Sequence, residues 1–348
     1  MARVKFGDVV KDVKLNVDRT NNPYERYVAG DHMDSEDLTL RRWGYFATDD
    51  VGPAFVRIFQ PGQVLYGSRR TYLKKVAVAH FEGISANTTF VFETKDDNVF
   101  SQRLLPFLML SDDFTNYSIR KSKGSTNPYV LFSDLADYEF ELPSIEEQQV
   151  LADKLWAAYE LKEAYKKMIA ATDEMVKSQF IEMFSGDFPC ELWENCLTIT
   201  NGKKYPEEYS DTGVYPVCGS GGTMGYGNHK LCSKETTILG RKGNINSPIY
   251  MDTDYWIVDT AFSLDVDREK LHPKYFFYWC TLFDFTKYNK QGVLPSLTKN
   301  DLLKIEMPIP PKDKQIKFVA IVEQADKSKF ELRQAIDKID KVMKSLLQ

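Results

Sequence analysis

The sequence predicts an α+β protein with two similar domains and two long helices that form an antiparallel, pseudo-twofold symmetric coiled coil. Three observations favour this fold. One segment occurs twice, both copies carry heptad-spaced apolar residues, and a similar order of strands and loops precedes each copy. A chain of 348 residues also exceeds one ordinary core, so two domains of about 150 residues each are expected.

The repeat is clearest where a strand-like run meets a proline and a helix begins. The string LADYEFELPSIEEQQ (135–149) returns as LLKIEMPIPPKDKQI (302–316), and the offset of 167 residues continues without a gap beyond it. The matched pairs include Pro143 with Pro310, Gln148 with Gln315, Lys162 with Lys329, and Asp173 with Asp340. Such a match predicts one structural module used twice.

Both copies continue as helices with apolar residues at alternating spacings of four and three. This a/d pattern, sustained for about four heptads, is typical of a coiled coil. Lys162 and Lys329 interrupt it at the same place, and Thr172 weakens the first copy. We predict a central spacer helix over 144–184 and a C-terminal one over 311–348. The predicted packing residues are Leu151, Leu155, Ala158, Tyr165, Ile169, Val176, Phe318, Val322, Ala325, Leu332, Ile336, Ile339 and Met343.

The remaining segments, 1–143 and 185–310, are predicted as two diverged copies of one α+β domain. The first has the strand-like runs VLYGSR, KKVAVAHF and NTTFVFET, then the helical run FSQRLLPFLML. The second has TTILGR, SPIYMD and YWIVDTAFSLDV, then PKYFFYWCTLF. In each, one strand ends in glycine followed by cations, at LYGSRR (65–70) and ILGRKG (238–243).

Polar loops rich in glycine and cations form the candidate binding surface. They are GSRRTYLKK and SIRKSKGSTNPY in the first half, and TNGKKYPEEY, GSGGTMGYGNHK, GRKGNINS and TKYNKQGVLPS in the second. Arg and Lys bind phosphates, and with Ser, Asn and Gln they also read base edges. The candidate DNA-binding residues are Ser68, Arg69, Arg70, Tyr72, Lys74, Arg120, Lys121, Lys123, Lys203, Lys204, Ser220, Arg241, Lys242, Asn244, Lys290 and Gln291. The alternative is that these are ordinary solvated surface loops. The occurrence of matching basic loops at matching places in both halves argues against that alternative.

Several other classes of protein are disfavoured. No stretch approaches the ~20 apolar residues of a membrane helix, and MARVKFGDVV has no signal-peptide core. Five cysteines without C-x-x-C fit a reducing cytoplasm. The sequence has no P-loop, and its four histidines are scattered without metal-ligand spacing. Glu160-x-Lys162 has the E-x-K form of a nuclease motif, but Lys162 lies at a heptad position, so coiled-coil packing explains it. We therefore expect no catalytic residue, metal or cofactor in this chain.

Two α+β domains alternating with two proline-initiated helices resemble the specificity (S) subunit of type I restriction–modification systems. The resemblance covers essentially the whole chain. Its most specific element is LPSIEEQQVLADKL, echoed by MPIPPKDKQIKFVA. The second copy departs from the family pattern, because Lys314 and Ile316 stand where the first copy has Glu147 and Gln149.

The resemblance implies that each domain is a target recognition domain reading one half of a bipartite sequence in double-stranded DNA. The helices are expected to set the spacer and to dock two modification subunits, whose chemistry uses S-adenosylmethionine. Restriction subunits, where present, are expected to use ATP and Mg. The chain itself is then non-catalytic and cytoplasmic. Its net charge of −5, unusual for DNA binding alone, is acceptable because partners contribute phosphate contacts.

Two other functions remain open. A coiled-coil adaptor with two protein- or glycan-binding domains explains the acidic balance more naturally, but it leaves the recurring basic loops unexplained. An enzyme with an unrecognised site is the other alternative, and the lack of any acid–base, nucleophile or metal constellation argues against it.

Overall fold

The computed structural model describes residues 2–18, 21–289 and 294–347. It confirms the predicted α+β class, with short strands and helices followed in each half by one long helix. None of the helices in the described part of the chain is both long and apolar enough to span a membrane.

The chain divides into two compact units. Unit 1 contains Met1–Lys166 and Arg333–Gln348, and unit 2 contains Lys167–Leu332. Each unit therefore holds one globular segment together with part of both long helices. The four-segment division expected from the sequence, with helices separate from the domains, stays a prediction.

Unit 1 consists mainly of short strands with helices between them. Its strands are β1 (Ala2–Lys5), β2 (Val10–Asp12), β3 (Arg26–Val28), β4 (Gly44–Tyr45), β5 (Phe55–Phe59), β6 (Val64–Gly67), β7 (Val76–Val78), β8 (Gly83–Ala86), β9 (Thr89–Thr94) and β10 (Glu139–Leu142). Its short helices are α1 (Phe6–Val9), α2 (Leu105–Leu110), α3 (Asp112–Lys121) and α4 (Phe132–Ala136). One sheet has the antiparallel order β2-β9-β6-β7, and another has the order β4-β3-β8-β5 with β3 and β8 parallel. Strand β1 pairs with β10.

Unit 2 repeats this plan with connections of different lengths. Its strands are β11 (Cys190–Leu192), β12 (Leu197–Asn201), β13 (Tyr215–Gly219), β14 (Gly222–Gly227), β15 (Thr236–Gly240), β16 (Ile249–Met251), β17 (Trp256–Ile257), β18 (Ala261–Val266) and β19 (Glu306–Pro308). Its short helices are α6 (Pro273–Leu282) and α7 (Lys299–Leu302). The antiparallel sheet β12-β18-β15-β16 corresponds to β2-β9-β6-β7. The sheet β14-β13-β17 again contains a parallel pair, and β11 pairs with β19.

Two long helices, α5 (Ile145–Phe184) and α8 (Lys312–Leu346), run antiparallel inside each unit. In unit 1, Leu151 and Leu346 line one cleft, while Lys162 pairs with Asp340. In unit 2, the Phe180 ring contacts the Phe318 ring, while Lys329 pairs with Asp173. The predicted antiparallel pairing is therefore present in both units.

The predicted packing residues all lie on the covered faces of α5 and α8. Five are buried, namely Leu155, Val176, Phe318, Val322 and Ala325. Eight are half-buried, namely Leu151, Ala158, Tyr165, Ile169, Leu332, Ile336, Ile339 and Met343. The interrupting lysines make the same contact in each unit, since Lys162 Nζ is 2.5 Å and Lys329 Nζ 2.8 Å from the matching aspartate. A polar pair in an apolar seam of this kind fixes helix register.

A buried glutamine joins each long helix to its globular segment. Gln148 Nε2 donates to the carbonyls of Val99 and Pro143, and its Oε1 accepts from the Ser101 N–H. Gln315 makes the same three kinds of bond, to the carbonyls of Lys270 and Pro310 and from the N–H of His272. This contact explains why the glutamine occurs in both copies of the junction.

The two junctions differ in how the helix is capped. At the start of α5, Ser144 and Glu147 form a capping box, each side chain accepting from the other residue's N–H. The second copy has Pro311 and Lys314 at these positions, and the Lys314 ammonium lies 5.0 Å from the Phe188 ring centre. The departure from the first copy therefore replaces a cap and leaves the glutamine contact intact.

Three sequence-based element assignments are wrong. Residues 118–121 form the last turn of α3 instead of a loop, because Ser111 caps that helix and cations favour its C-terminal end. Half of GSGGTMGYGNHK (219–230) is strand β14, paired with β13. The run YWIVDTAFSLDV is two strands, β17 and β18, which belong to different sheets.

Candidate nucleic-acid interface

The unit 1 cationic loop, residues 67–70, begins where β6 ends opposite Thr89 of β9. The Ser68 N–H and hydroxyl both donate to the Thr88 carbonyl, at 3.1 Å and 2.6 Å. The Arg70 N–H donates to the Pro128 carbonyl at 2.7 Å, and the Val130 N–H donates to the Ser68 carbonyl at 2.9 Å. The loop backbone is therefore held between a turn and the segment after α3.

The unit 2 cationic loop, residues 240–243, is held in the same way. The N–H groups of Arg241 and Lys242 donate to the Thr260 carbonyl at 2.8 Å and 3.1 Å. The Gly243 N–H donates to the Pro295 carbonyl at 2.9 Å, and the Leu297 N–H donates to the Arg241 carbonyl at 2.9 Å. Three of these bonds, those of the Arg241, Gly243 and Leu297 N–H groups, have direct counterparts in unit 1. The fourth differs, because the Lys242 N–H takes the place of the Ser68 hydroxyl. The two loops are therefore equivalent structures.

Glycine is required at one position of the unit 2 loop. A Cβ on Gly240 would lie 1.9 Å from the Asn244 carbonyl oxygen, so any side chain would displace the returning backbone. The loop folds back tightly enough to leave Lys242 and Asn244 exposed at its tip.

The two loops differ at the fourth position. Gly243 has a φ of +78°, which glycine adopts freely, whereas the equivalent Arg70 has a φ of +51°. An arginine in this region costs about 1 kcal/mol or more. Both Arg69 and Arg70 are exposed, and neither has an ion-pair partner within the described ranges. Backbone strain at an exposed cation favours a binding role.

Four other predicted residues lie beside these loops. Tyr72 follows the unit 1 loop and is 54% exposed. The Ser220 N–H donates to Thr260 Oγ1 at 3.3 Å, next to the unit 2 loop. Lys203 and Lys204 are exposed on the wall of a cleft of about 710 Å³ that Thr260 also lines. Five predicted residues of unit 2 therefore lie on one surface, namely Lys203, Lys204, Ser220, Arg241 and Lys242.

Arg241 is the least exposed of the loop cations. Its guanidinium carbon lies 5.9 Å from the centre of the Phe262 ring, so the ring supports the side chain from one side. A supported, half-buried arginine loses less conformational freedom on binding than a free one.

Lys74 has internal partners. Its Nζ lies 3.0 Å from Asp112 and 3.2 Å from Glu36. Burial alone would lower the pKa of Lys74, but hydrogen bonds to Asp112 and Glu36 raise the pKa overall. Asp112 also pairs with Lys344 of α8, and this contact and Lys74 lower the pKa of the Asp112 carboxyl.

The other predicted cations are spread more widely. Arg120 and Lys121 are exposed on the last turn of α3, where the Lys121 ammonium lies 5.5 Å from the Tyr117 ring centre. Lys123 pairs with Asp134 at 2.8 Å, while its backbone exchanges hydrogen bonds with Tyr129. Lys290 and Gln291 lie outside the described residues. DNA contact by each predicted residue stays a prediction.

Sequence reasoning missed the two turns that hold the loops. Asn87 and Thr88 precede β9, and Asp259 and Thr260 precede β18. Both pairs fall within runs predicted as strands, Asn87 and Thr88 at the start of NTTFVFET and Asp259 and Thr260 inside YWIVDTAFSLDV. The signal available was the shared pattern Asn-Thr-x-Phe and Asp-Thr-x-Phe directly before a central strand.

The described residues contain no group of three or more His, Cys, Asp or Glu side chains placed to hold a metal ion. The five cysteines are free thiols, and burial raises the pKa of Cys196 to about 11.

Comparison with known proteins places these features in a family. The protein-family model described as "Type I restriction modification DNA specificity domain" matches residues 57–170 and 195–341, more than half of the chain. The curated "Type I restriction enzyme EcoDI specificity subunit" of Escherichia coli is 22% identical over 192 residues, covering 54% of this chain and 41% of that protein. The match thus spans less than half of that relative.

Two solved structures share the fold. The crystal structure of a type I restriction-modification system S subunit from M. genitalium has a TM-score of 0.64 at 14% identity, covering 99% of this chain and 94% of that one. A chain from a structure on "complex assembly" and "conformational transition of the type I R-M system" has a TM-score of 0.60 at 18% identity, covering 99% and 96%. At these identities the similarity extends to the fold alone.

Proposed function

This chain belongs to the type I restriction–modification DNA specificity family, as its sequence predicted, and we propose that it is the DNA-recognition subunit of such a complex. Each unit reads one half of a bipartite sequence in double-stranded DNA. The cationic loops contact phosphates and base edges of their half-site.

The repetition of one cationic loop on equivalent elements carries this proposal. Three equivalent backbone hydrogen bonds hold residues 67–70 and 240–243, and each loop presents two cations. A protein that reads two half-sites needs two similar surfaces. A protein- or glycan-binding adaptor has no such need for paired cations in both units.

The proposal extends to partners. Two modification subunits dock on the long helices and supply S-adenosylmethionine chemistry, and restriction subunits, where present, use ATP and Mg. The chain contributes specificity and no catalysis. Because its net charge is −5, its partners supply many of the phosphate contacts. Free thiols are suited to the reducing cytoplasm in which we place the complex.

The long helices are proposed to set the spacer between the half-sites. An α-helix rises ~1.5 Å per residue, so 35 to 40 residues give a rod of roughly 50 to 60 Å. Half-sites on one face of DNA are about one helical turn, ~34 Å, apart. A rod of this length can hold two readers at that spacing.

A methylome tests the proposal. The chain is co-expressed with the modification subunit encoded beside it, in a host lacking adenine methylation, and modified bases are sequenced. We expect a bipartite motif with an unspecified centre that disappears when this chain is omitted. A soluble complex of the two proteins that methylates nothing would overturn the proposal in favour of the adaptor function.

A further inference from the structure

Asn87 and Asp259 occupy equivalent positions in the two units. Each lies in a turn where the chain leaves one sheet and enters another, from β8 to β9 in unit 1 and from β17 to β18 in unit 2. Each directly precedes the threonine whose carbonyl holds a cationic loop. The repeat therefore places one exposed polar side chain beside each loop.

Asp259 is surrounded by cationic segments. The Lys203 N–H donates to the Ile257 carbonyl, and the Gly202 N–H donates to the Ala261 carbonyl, so residues 202–203 run along one side of the turn. The Arg241 N–H donates to the carbonyl of the adjacent Thr260 on the other side. Asp259, Lys203 and Lys204 line the same 710 Å³ cleft.

The carboxylate of Asp259 has no hydrogen-bond or ion-pair partner among the residues that the structure describes, despite these cations. Asn87 is also exposed, and over the described ranges only its backbone N–H is bonded, to the Ala54 carbonyl. An unpaired carboxylate on a phosphate-binding surface repels DNA. It is compatible with binding only where it faces a hydrogen-bond donor.

We infer that Asp259 and Asn87 are base-reading residues, an inference that rests on the proposed function. Asp259 accepts a hydrogen bond from the exocyclic amino group of cytosine, since a carboxylate can only accept there. Asn87 both donates and accepts, and it reads adenine in the other half-site. The flanking cations hold the backbone of the same nucleotides.

Methylomes of complexes carrying single substitutions test this inference. Asp259→Ala and Asp259→Asn each remove the carboxylate, while Glu269→Gln removes an exposed carboxylate beyond the far end of β18. We expect Asp259→Ala to relax one base pair in one half-site, raising modification of the wrong bases at least about tenfold. Asp259→Asn should shift that preference towards adenine. Asn87→Ala should relax one position in the opposite half, and Glu269→Gln should change nothing.

The outcomes separate this inference from the proposed function. A wild-type complex that methylates no bipartite motif overturns the function and the inference together. A wild-type motif that Asp259→Ala and Asp259→Asn both retain unchanged overturns only the role of Asp259. Tighter binding after Asp259→Ala with the same motif also overturns it, because the carboxylate would then only repel phosphates. The exposed positions make misfolding a poor explanation, and equal melting temperatures of the variants exclude it.

Discussion

Replacing Gln315 by alanine should open the junction between α8 and the globular part of unit 2. Its fully buried side chain makes three hydrogen bonds, of 2.7 Å, 2.8 Å and 3.0 Å. A hydrogen bond contributes about 1 kcal/mol, and a partner left unsatisfied costs about 1–3 kcal/mol. Because the freed groups of Lys270 and His272 are half-buried and can gain water, we expect a loss of about 3 kcal/mol.

Hydrogen exchange on the full chain measures this loss locally. Peptides covering 268–276 and 308–320 should exchange faster in Gln315→Ala, by about two powers of ten for 3 kcal/mol. Gln148→Ala should do the same around residues 99–103 and 143–152 of unit 1. Gln149→Ala, at the exposed neighbouring position, is the matched control. Exchange in Gln315→Ala no faster than in Gln149→Ala would refute the reasoning.

Four further changes test other parts of the structure. Burial and the nearby cations Lys312 and Lys274 lower the pKa of His272, which caps α6 as a neutral acceptor. Unit 2 should therefore lose stability as the pH falls below about 6.5, and His272→Asn, which caps at every pH, should lack this loss in pH-dependent denaturation. Arg70→Gly should leave the unfolding free energy equal or higher while reducing the salt dependence of DNA binding by about one phosphate contact; a clear loss of stability would contradict the strain at this residue. Lys162→Asp and Asp340→Lys should each lower the unfolding free energy measured by thermal denaturation, and the double variant should recover at least about 1 kcal/mol of that loss. If the effects of the two single variants simply add in the double variant, the two residues are not coupled. Inserting one turn, ~5.4 Å, in both α5 and α8 should lengthen the unspecified centre of the methylated motif, and altered half-sites with the old centre would contradict the spacer role.

Periodicity and repetition made the long helices predictable. The heptad positions depend only on local spacing, so they predict the seam. The antiparallel direction does not follow from the heptads; it is an expectation, which the pairs Lys162–Asp340 and Lys329–Asp173 confirm. The same offset identified Gln148 and Gln315 as equivalent. It could not identify their partners, because Ser101 and His272 are distant in sequence from the helix starts.

The surface residues were harder to predict because their contacts are non-local. Nothing in the sequence near Lys74 indicates that Asp112 and Glu36 neutralise it. Asn87 and Asp259 fall within runs that the sequence predicts as strands, and they are recognised as turn residues only because the chain changes sheet there. The side-chain types in the loops predict DNA as the ligand, whereas the residues that lie together on one surface are fixed by the tertiary structure.

The central claim is that each unit reads its own half of one bipartite site. The most direct test compares the methylomes of two double variants. One variant carries Arg69→Ala and Arg70→Ala together, and the other carries Arg241→Ala and Lys242→Ala together. We predict that each variant relaxes or loses specificity in only one half of the motif, and that the two variants affect opposite halves. If both variants change the same half, or change neither half while methylation continues, the claim is contradicted.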